Sequence, residues 1–334
     1  AVMARAFKYA ADNGASIIQC SMGIKGGGYT SDNQYASSAK AEHDALAYFI
    51  ATSNCDAIDG GIVVFSAGND ALNRAGYPGA FRDYISVTSF SPDFLPASYT
   101  NYGPGTNISA PGGDRDYYWD YGEGALRGEA GCVFSTLPYN VSETGFGYME
   151  GTSMACPHVS GVVALGLSYA AQQRRHFTAD EFKKLLYETA TPIDEYIQGT
   201  KFYYRYAYDL GYTNPTQMML SNYTGQMGVG QVNAKRLLDA IAQNGTPMRF
   251  PNLYIPLDGE VTTLPATFFL NGESLTYTVT IENQAVATSR TEGAKIIFSG
   301  LKEGSTKASI AASDGTTHNF NITVRKSASG SGWL

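Results

Sequence analysis

The run Gly151-Thr152-Ser153-Met154-Ala155-Cys156-Pro157-His158-Val159-Ser160-Gly161 passes directly into Val162-Val163-Ala164-Leu165-Gly166-Leu167. Small residues followed by an unbroken apolar stretch predict a buried helix, 157–173, that starts beside a serine. Pro157 fits its first turn, where a missing N–H costs little. A helix N-terminus presents unpaired N–H groups and partial positive charge. That setting suits an oxygen that must become anionic or sit next to one that does. Gly161 and its small neighbours permit close packing on other backbone. Standing alone, Gly151-Thr152-Ser153 reads equally as an ordinary helix cap.

Two further segments bear on the same chemistry. Gly61-Ile62-Val63-Val64-Phe65-Ser66-Ala67-Gly68-Asn69-Asp70 is an apolar, β-branched run ending in a small-residue turn. It predicts a buried parallel strand over 61–67. In open α/β sheets, ligands sit beyond the carboxyl ends of the strands, where Asn69 falls. Its amide can donate to a developing oxyanion or simply shape a left-handed turn. Ser16-Ile17-Ile18-Gln19-Cys20-Ser21-Met22-Gly23 predicts a second strand, 16–22, that ends in Ser-Met-Gly.

Taken together, these segments resemble the subtilisin-like serine peptidases (subtilases). The loops Gly76-Tyr77-Pro78-Gly79, Ser98-Tyr99-Thr100-Asn101-Tyr102-Gly103-Pro104-Gly105 and Ser109-Ala110-Pro111-Gly112 are similar to family loops. So are Ser135-Thr136-Leu137-Pro138 and Gly228-Val229-Gly230-Gln231-Val232-Asn233-Ala234, so the likeness spans residue 1 to about 243. The resemblance implies Ser153 as nucleophile, with Asn69 and the Ser153 N–H stabilising the oxyanion. It implies substrate contacts from Ser21, Met22 and Gly23, which pair with an extended peptide. Ser66, Ala67, Gly68, Gly76 and Thr152 complete the implied substrate-binding set. It also implies a cis Tyr77–Pro78 bond and places Asp70 at the pocket rim, to favour a basic side chain or to serve the turn. No cofactor is required; structural calcium is compatible with the family, with ligands the sequence does not name. The substrate would be protein or peptide, and the setting secreted or cell-surface.

A serine hydroxyl is a poor nucleophile until a base takes its proton, and the base needs an orienting carboxylate. The family motifs that supply these precede the Ser-Met-Gly strand and are absent. Four histidines exist. His43 lies in a predicted helix after that strand, in the wrong order. His158 points away from the serine's helix face and reads as a structural hydrogen bonder. His176 reads as a solvated helix end, and His318 lies outside the peptidase-like region. The expectation is a chain that has lost its front. An absent segment, attached or as a separate chain, would supply Asp and His, and the chain alone would be inactive. The alternative is a non-catalytic pseudopeptidase or binding protein that keeps the fold.

At 334 residues two domains are expected. Helix candidates 2–13, 39–53, 157–173, 179–190 and 233–243 alternate with strands 16–22, 61–67 and 84–90. That alternation predicts an α/β domain over 1–245 with a doubly wound, mostly parallel sheet. Thr178 would cap the fourth helix. Residues 24–38, 112–131 and 196–227 lack periodicity and read as insertions whose tyrosines pack on the scaffold or line the cleft. After Asn244-Gly245-Thr246-Pro247 come short alternating runs near 253–255, 266–270, 275–281, 294–298, 307–312 and 319–324, with turns at Asn271-Gly272 and Asp314-Gly315. These predict a small antiparallel, immunoglobulin-like β-sandwich over 246–326, followed by a flexible tail, 327–334. A net charge of −7 without a basic stripe argues against nucleic acid, and no apolar run suggests a membrane span. Cys20 and Cys156 sit in apolar contexts, Cys55 and Cys132 either pair or stay free, and none has metal-ligand spacing.

Overall fold

The computed structural model describes residues 2–116, 129, 131–203, 206–207, 211–212, 216–247 and 250–326. The tail, most of 112–131 and part of 196–227 lie outside the described residues. Two compact units form: one holds Ala1–Ser168 and Phe177–Gln243, the other Tyr169–His176 and the residues from Asn244 on.

The first unit is built on a parallel sheet of β1 (Ile17–Cys20), β2 (Ile62–Ser66), β3 (Ile85–Phe90) and β4 (Ile108–Pro111), in that spatial order. Every residue of β2 and β3 is buried. Strand alternation turns Val63 and Phe65 to one face and Ile62 and Val64 to the other. Val63 and Phe65 share a core with Phe7 of α1 (Val2–Asp12) and with Leu46 and Phe49 of α3 (Lys40–Thr52). Ile62 and Val64 are equally buried, so both faces are covered, as a doubly wound sheet requires.

α4 (Thr152–Gln172) starts five residues before the expected 157, so Pro157 lies inside the helix rather than in its first turn. The ring removes the N–H that would bond to the carbonyl of Ser153. Ser21 Oγ donates to that carbonyl instead, at 2.5 Å, and the helix continues. By length and composition α4 could cross a membrane, which the apolar runs did not suggest. Its Cys156 thiol contacts the backbone oxygens of Cys20 and Val64, and a core helix buried this way reads as apolar. α5 (Ala179–Glu188) carries the expected Thr178 cap as a reciprocal box with Glu181. α6 (Ala234–Ile241) closes the unit behind an Asn233 cap.

The structure corrects several expectations. The 24–38 stretch contains a helix, α2 (Asp32–Ser38), capped by Ser31. Residues 133–149 form a hairpin, β5 (Val133–Thr136) with β6 (Phe146–Met149). Another, β7 (Thr200–Tyr203) with β8 (Thr216–Met219), lies in the tyrosine-rich stretch. Tyr203 and Tyr223 there are buried in their own cluster with Ile193 and Met218. His176 is not a solvated helix end. Past α4 the chain turns through Arg174, at φ 55°, into an extended segment, Arg175–Thr178, where His176 is buried.

The second unit has two sheets around one core. β9 (Leu253–Pro256), β15 (Thr317–Arg325), β14 (Gly304–Ala312) and β11 (Tyr277–Ile281) form the first. β10 (Glu260–Thr263), β13 (Lys295–Gly300) and β12 (Ala287–Glu292) form the second. Ile255, Ile281, Phe298, Ile310 and Ile322 meet between them. The sheets are not wholly antiparallel, because β9 runs parallel to β15. No hairpin joins these first and last strands, so neither direction is imposed. Residues 265–268 form a 3-10 turn led by Pro265 rather than a strand.

Candidate active site

The carboxyl ends of β1, β2 and β4 converge on the N-terminus of α4. Ser21–Gly23 leave β1, Ala67–Asn69 leave β2, and the Gly112 carbonyl just past β4 accepts the Gly151 N–H at 3.0 Å. Parallel register between β1 and β2 runs from Ile17↔Ile62 to Cys20↔Phe65, which places the two small-residue turns side by side. Between them lies a cleft of about 280 Å³. Met22, Gly23, Ser66, Ala67, Gly68 and Gly76 line it. Asn69, Thr152 and Ser153 stand at its end, with Ile24, Lys25 and Asp70 completing the wall. The structure thus brings nine of the ten expected residues to the cleft wall. Ser21, the tenth, touches Ser153 directly: its hydroxyl donates to the Ser153 carbonyl, and its own carbonyl accepts from Ser153 Oγ at 3.4 Å.

Asn69 is held by its acceptor end. Its Oδ1 takes the Thr152 N–H at 2.9 Å and the Thr152 hydroxyl at 2.7 Å. Thr152 Oγ1 in turn accepts from the Gly68 N–H at 3.2 Å, and Thr152 is fully buried. This leaves the Asn69 Nδ2 donors uncommitted among the described residues. The Ser153 N–H, in the first turn of α4, has no intrahelical acceptor. Both donors border one gap. A β-carbon on Gly151 would stand 3.4 Å from Asn69 Nδ2 and 3.5 Å from Ser153 N. Gly151 has φ 141°, which side chains resist, and it keeps the gap open. Two N–H donors around one vacant point suit an anionic oxygen.

The walls are braced by residues the motif reading did not single out. Asn101, fully buried, donates from Nδ2 to the Ala67 carbonyl and accepts the Asp70 and Leu72 N–H groups. Tyr99 donates to the carbonyls of Gly112 and Gly113, and burial pushes its phenol well above the ordinary value. Both lie in the 98–105 loop, which is similar to a family loop but whose sequence marks neither side chain as a brace. Gly76 donates to the Ala67 carbonyl at 2.7 Å. Beside it Tyr77–Pro78 is cis, as expected. Burial and its bond to Asp32 push the Tyr77 phenol up to about 12. Asp70 Oδ2 accepts the Gly26 N–H at 3.0 Å, so this carboxylate serves the neighbouring loop.

No histidine is hydrogen-bonded to Ser153 Oγ among the described residues. His43 Nδ1 pairs with Asp44 on α3. His158 Nδ1 donates to the Met154 carbonyl at 2.8 Å, the structural bond expected of it. His176 and His318 belong to the second unit. None of the four cysteines is in a disulfide, and Cys20 and Cys156 are buried. No group of three or more His, Cys, Asp or Glu able to hold a metal exists among the described residues.

The model of the subtilase family matches residues 1–236. A thermophilic serine proteinase of Bacillus sp. strain AK1 is 29% identical over 61% of this chain and 38% of its own length. Halolysin of Haloferax mediterranei is 34% identical over 32% of this chain and 17% of its own. The chain therefore spans well under half the length of these relatives. A protease of Pseudoalteromonas arctica PAMC 21717 aligns in structure with TM-score 0.45 and 23% identity, over 71% of this chain and 57% of that one.

Proposed function

The chain belongs to the subtilase family, and we propose that it carries the nucleophile and oxyanion donors of a serine endopeptidase whose general base lies outside these residues. In this reading Ser153 Oγ attacks a peptide carbonyl while a histidine, oriented by an aspartate, takes its proton. The carbonyl oxygen becomes anionic and is held by Asn69 Nδ2 and the Ser153 N–H. Collapse expels the amine, which receives the proton back from the base. The acyl group then leaves Ser153 on water. The gap beside Gly151, bordered by both donors, is the observation that carries this reading. The substrate would lie along Ser21–Gly23 as an added strand and place one side chain between that segment and Ser66–Gly68. No cofactor enters the steps.

The histidines support an external base, since none is hydrogen-bonded to Ser153 Oγ among the described residues. Relatives named as an extracellular protease of Xanthomonas campestris and a cell wall-associated protease of Bacillus subtilis support a secreted or surface setting. The second unit is read as an immunoglobulin-like spacer or stabiliser.

A fluorophosphonate probe and a peptide substrate test the proposal on the present chain and on a longer protein with its upstream sequence. The present chain should neither label nor turn over. The longer protein should do both, and Ser153→Ala should abolish both. Ser153-dependent turnover by the present chain would refute the external base. A folded longer protein that never labels would favour the pseudopeptidase alternative.

A further inference from the structure

We propose that Lys25 makes the cleft selective for peptides with an acidic side chain, Asp or Glu, at the residue whose carbonyl meets Ser153. This rests on the peptidase reading above. Lys25 follows Ile24 on the loop that leaves β1, and it lines the same cleft as Gly68, Gly76 and Ser153. The loop is tied down. Gly26 donates its N–H to Asp70 Oδ2. Arg74 donates to the carbonyls of Tyr29 and Gly26 at 2.9 and 3.1 Å, and Tyr77 donates its N–H to the Gly27 carbonyl at 3.0 Å. Gly26, Gly27 and Gly28 have φ of 73°, 83° and 65°, a path glycine follows without strain. A β-carbon on Gly27 would stand 2.9 Å from the Arg74 guanidinium. The backbone that carries Lys25 is therefore fixed at the cleft.

Charge sets the direction of the preference. Asp70, the rim residue that would favour a basic side chain, already accepts the Gly26 N–H. Arg74 stands behind the same loop and adds a second cation. Lys25 Nζ makes no ion pair with a carboxylate among the described residues. Lys25 and Asp70 line this end of the cleft, with Arg74 behind the loop as a second positive charge, in a chain whose net charge is −7. An entering carboxylate meets an ammonium competing only with water. An entering ammonium meets Lys25, offset only by Asp70, which already accepts the Gly26 N–H. A single exposed pair is modest, so the discrimination should be about fivefold to tenfold at low salt.

Equilibrium binding tests this without needing the absent base. Three fluorescent peptides that differ only in a C-terminal Glu, Leu or Lys are titrated against the present chain, and anisotropy is read. The Glu peptide should bind at least about fivefold more tightly than the Lys peptide, with the margin shrinking as salt rises. Lys25→Ala should erase the margin between the Glu and Lys peptides, and Lys25→Glu should invert the order. Equal binding of the Glu and Lys peptides, or a margin that survives Lys25→Ala, overturns the inference alone. Failure of all three peptides to bind overturns the peptide-groove reading, and the inference falls with it.

Discussion

The Asn101 side chain fills the space that a β-carbon on Gly68 would need, and the same side chain holds the turn that presents Asn69. Gly68 has φ 110°, so the residue before Asn69 has its backbone set by one buried amide. Asn101→Ala would strand the Asp70 and Leu72 N–H groups and leave the Ala67 carbonyl with the Gly76 N–H alone. The expected loss of folding stability is roughly 2–4 kcal/mol, read by urea unfolding. An unchanged midpoint would show that the turn holds itself.

Gly151→Ala should damage catalysis in the longer, base-bearing protein more than it damages binding, because the new methyl would enter the gap between the two donors. Asn69→Ala should lower kcat with little change in KM. Its expected size is about 2.7–4 kcal/mol, the value associated with loss of subtilisin's oxyanion-hole asparagine and carried over from there. Steady-state kinetics on both variants, with an unchanged kcat for either, would remove that residue from the oxyanion site.

Lys201 and Asp114 form a wholly buried ion pair at 2.8 Å. The ammonium also donates to Ser91 Oγ and the Pro96 carbonyl, and the carboxylate accepts from the Ser98 N–H and hydroxyl. Lys201→Met leaves the carboxylate without its counter-charge and should destabilise by about 3–5 kcal/mol. Pairing it with Asp114→Asn should recover part of that loss. A double variant no more stable than Lys201→Met would mean that the hydrogen bonds, not the charges, carry the site.

Burial pushes the Cys20 thiol up to about 12 and the Cys156 thiol up to about 11. Both should resist iodoacetamide in the native chain at mildly alkaline pH, since the thiolate is the reactive form. Cys55, exposed, should alkylate first, and denaturant should release the buried pair. Peptide mapping by mass spectrometry separates the four sites. Native labelling of Cys156 at the rate of Cys55 would contradict the close packing of α4 on β1.

Burial raises the Glu150 carboxyl above its ordinary value of 4.5, against the lowering effect of the Arg115 N–H it accepts. The folded state therefore holds this proton more tightly than the unfolded chain. Its stabilising contribution is full below the ordinary value and is lost as pH rises through the raised one. Asp12, Asp44 and Glu260 shift the other way, so the test is a difference. Wild type minus Glu150→Gln stability should fall with rising pH across that window. A flat difference would show that the side chain is solvated.

The strands β1, β2 and β3 and helices α1, α3, α5 and α6 were legible because their apolar runs, caps and glycine stops lie within a few residues of each other. The small-residue strings that form the cleft were legible for the same reason. The start of α4 was not, because Ser21, 132 positions before Ser153, donates to the carbonyl that Pro157 cannot serve. β10 and β12 escaped notice because only the opposing sheet shows which of their residues turn inward. The Lys201–Asp114 pair spans 87 positions, and no local pattern marks either partner as buried. Asp70 read equally as a rim carboxylate and as a turn residue, and the Gly26 N–H that it accepts comes from 44 positions away. Short-range periodicity and turn chemistry let the sequence determine β1, β2 and β3, helices α1, α3, α5 and α6, and the residues that gather at the sheet's edge. Which of those residues keep an uncommitted donor or charge was decided only by the tertiary structure, because a hydrogen bond is settled by what folding brings within about 3 Å.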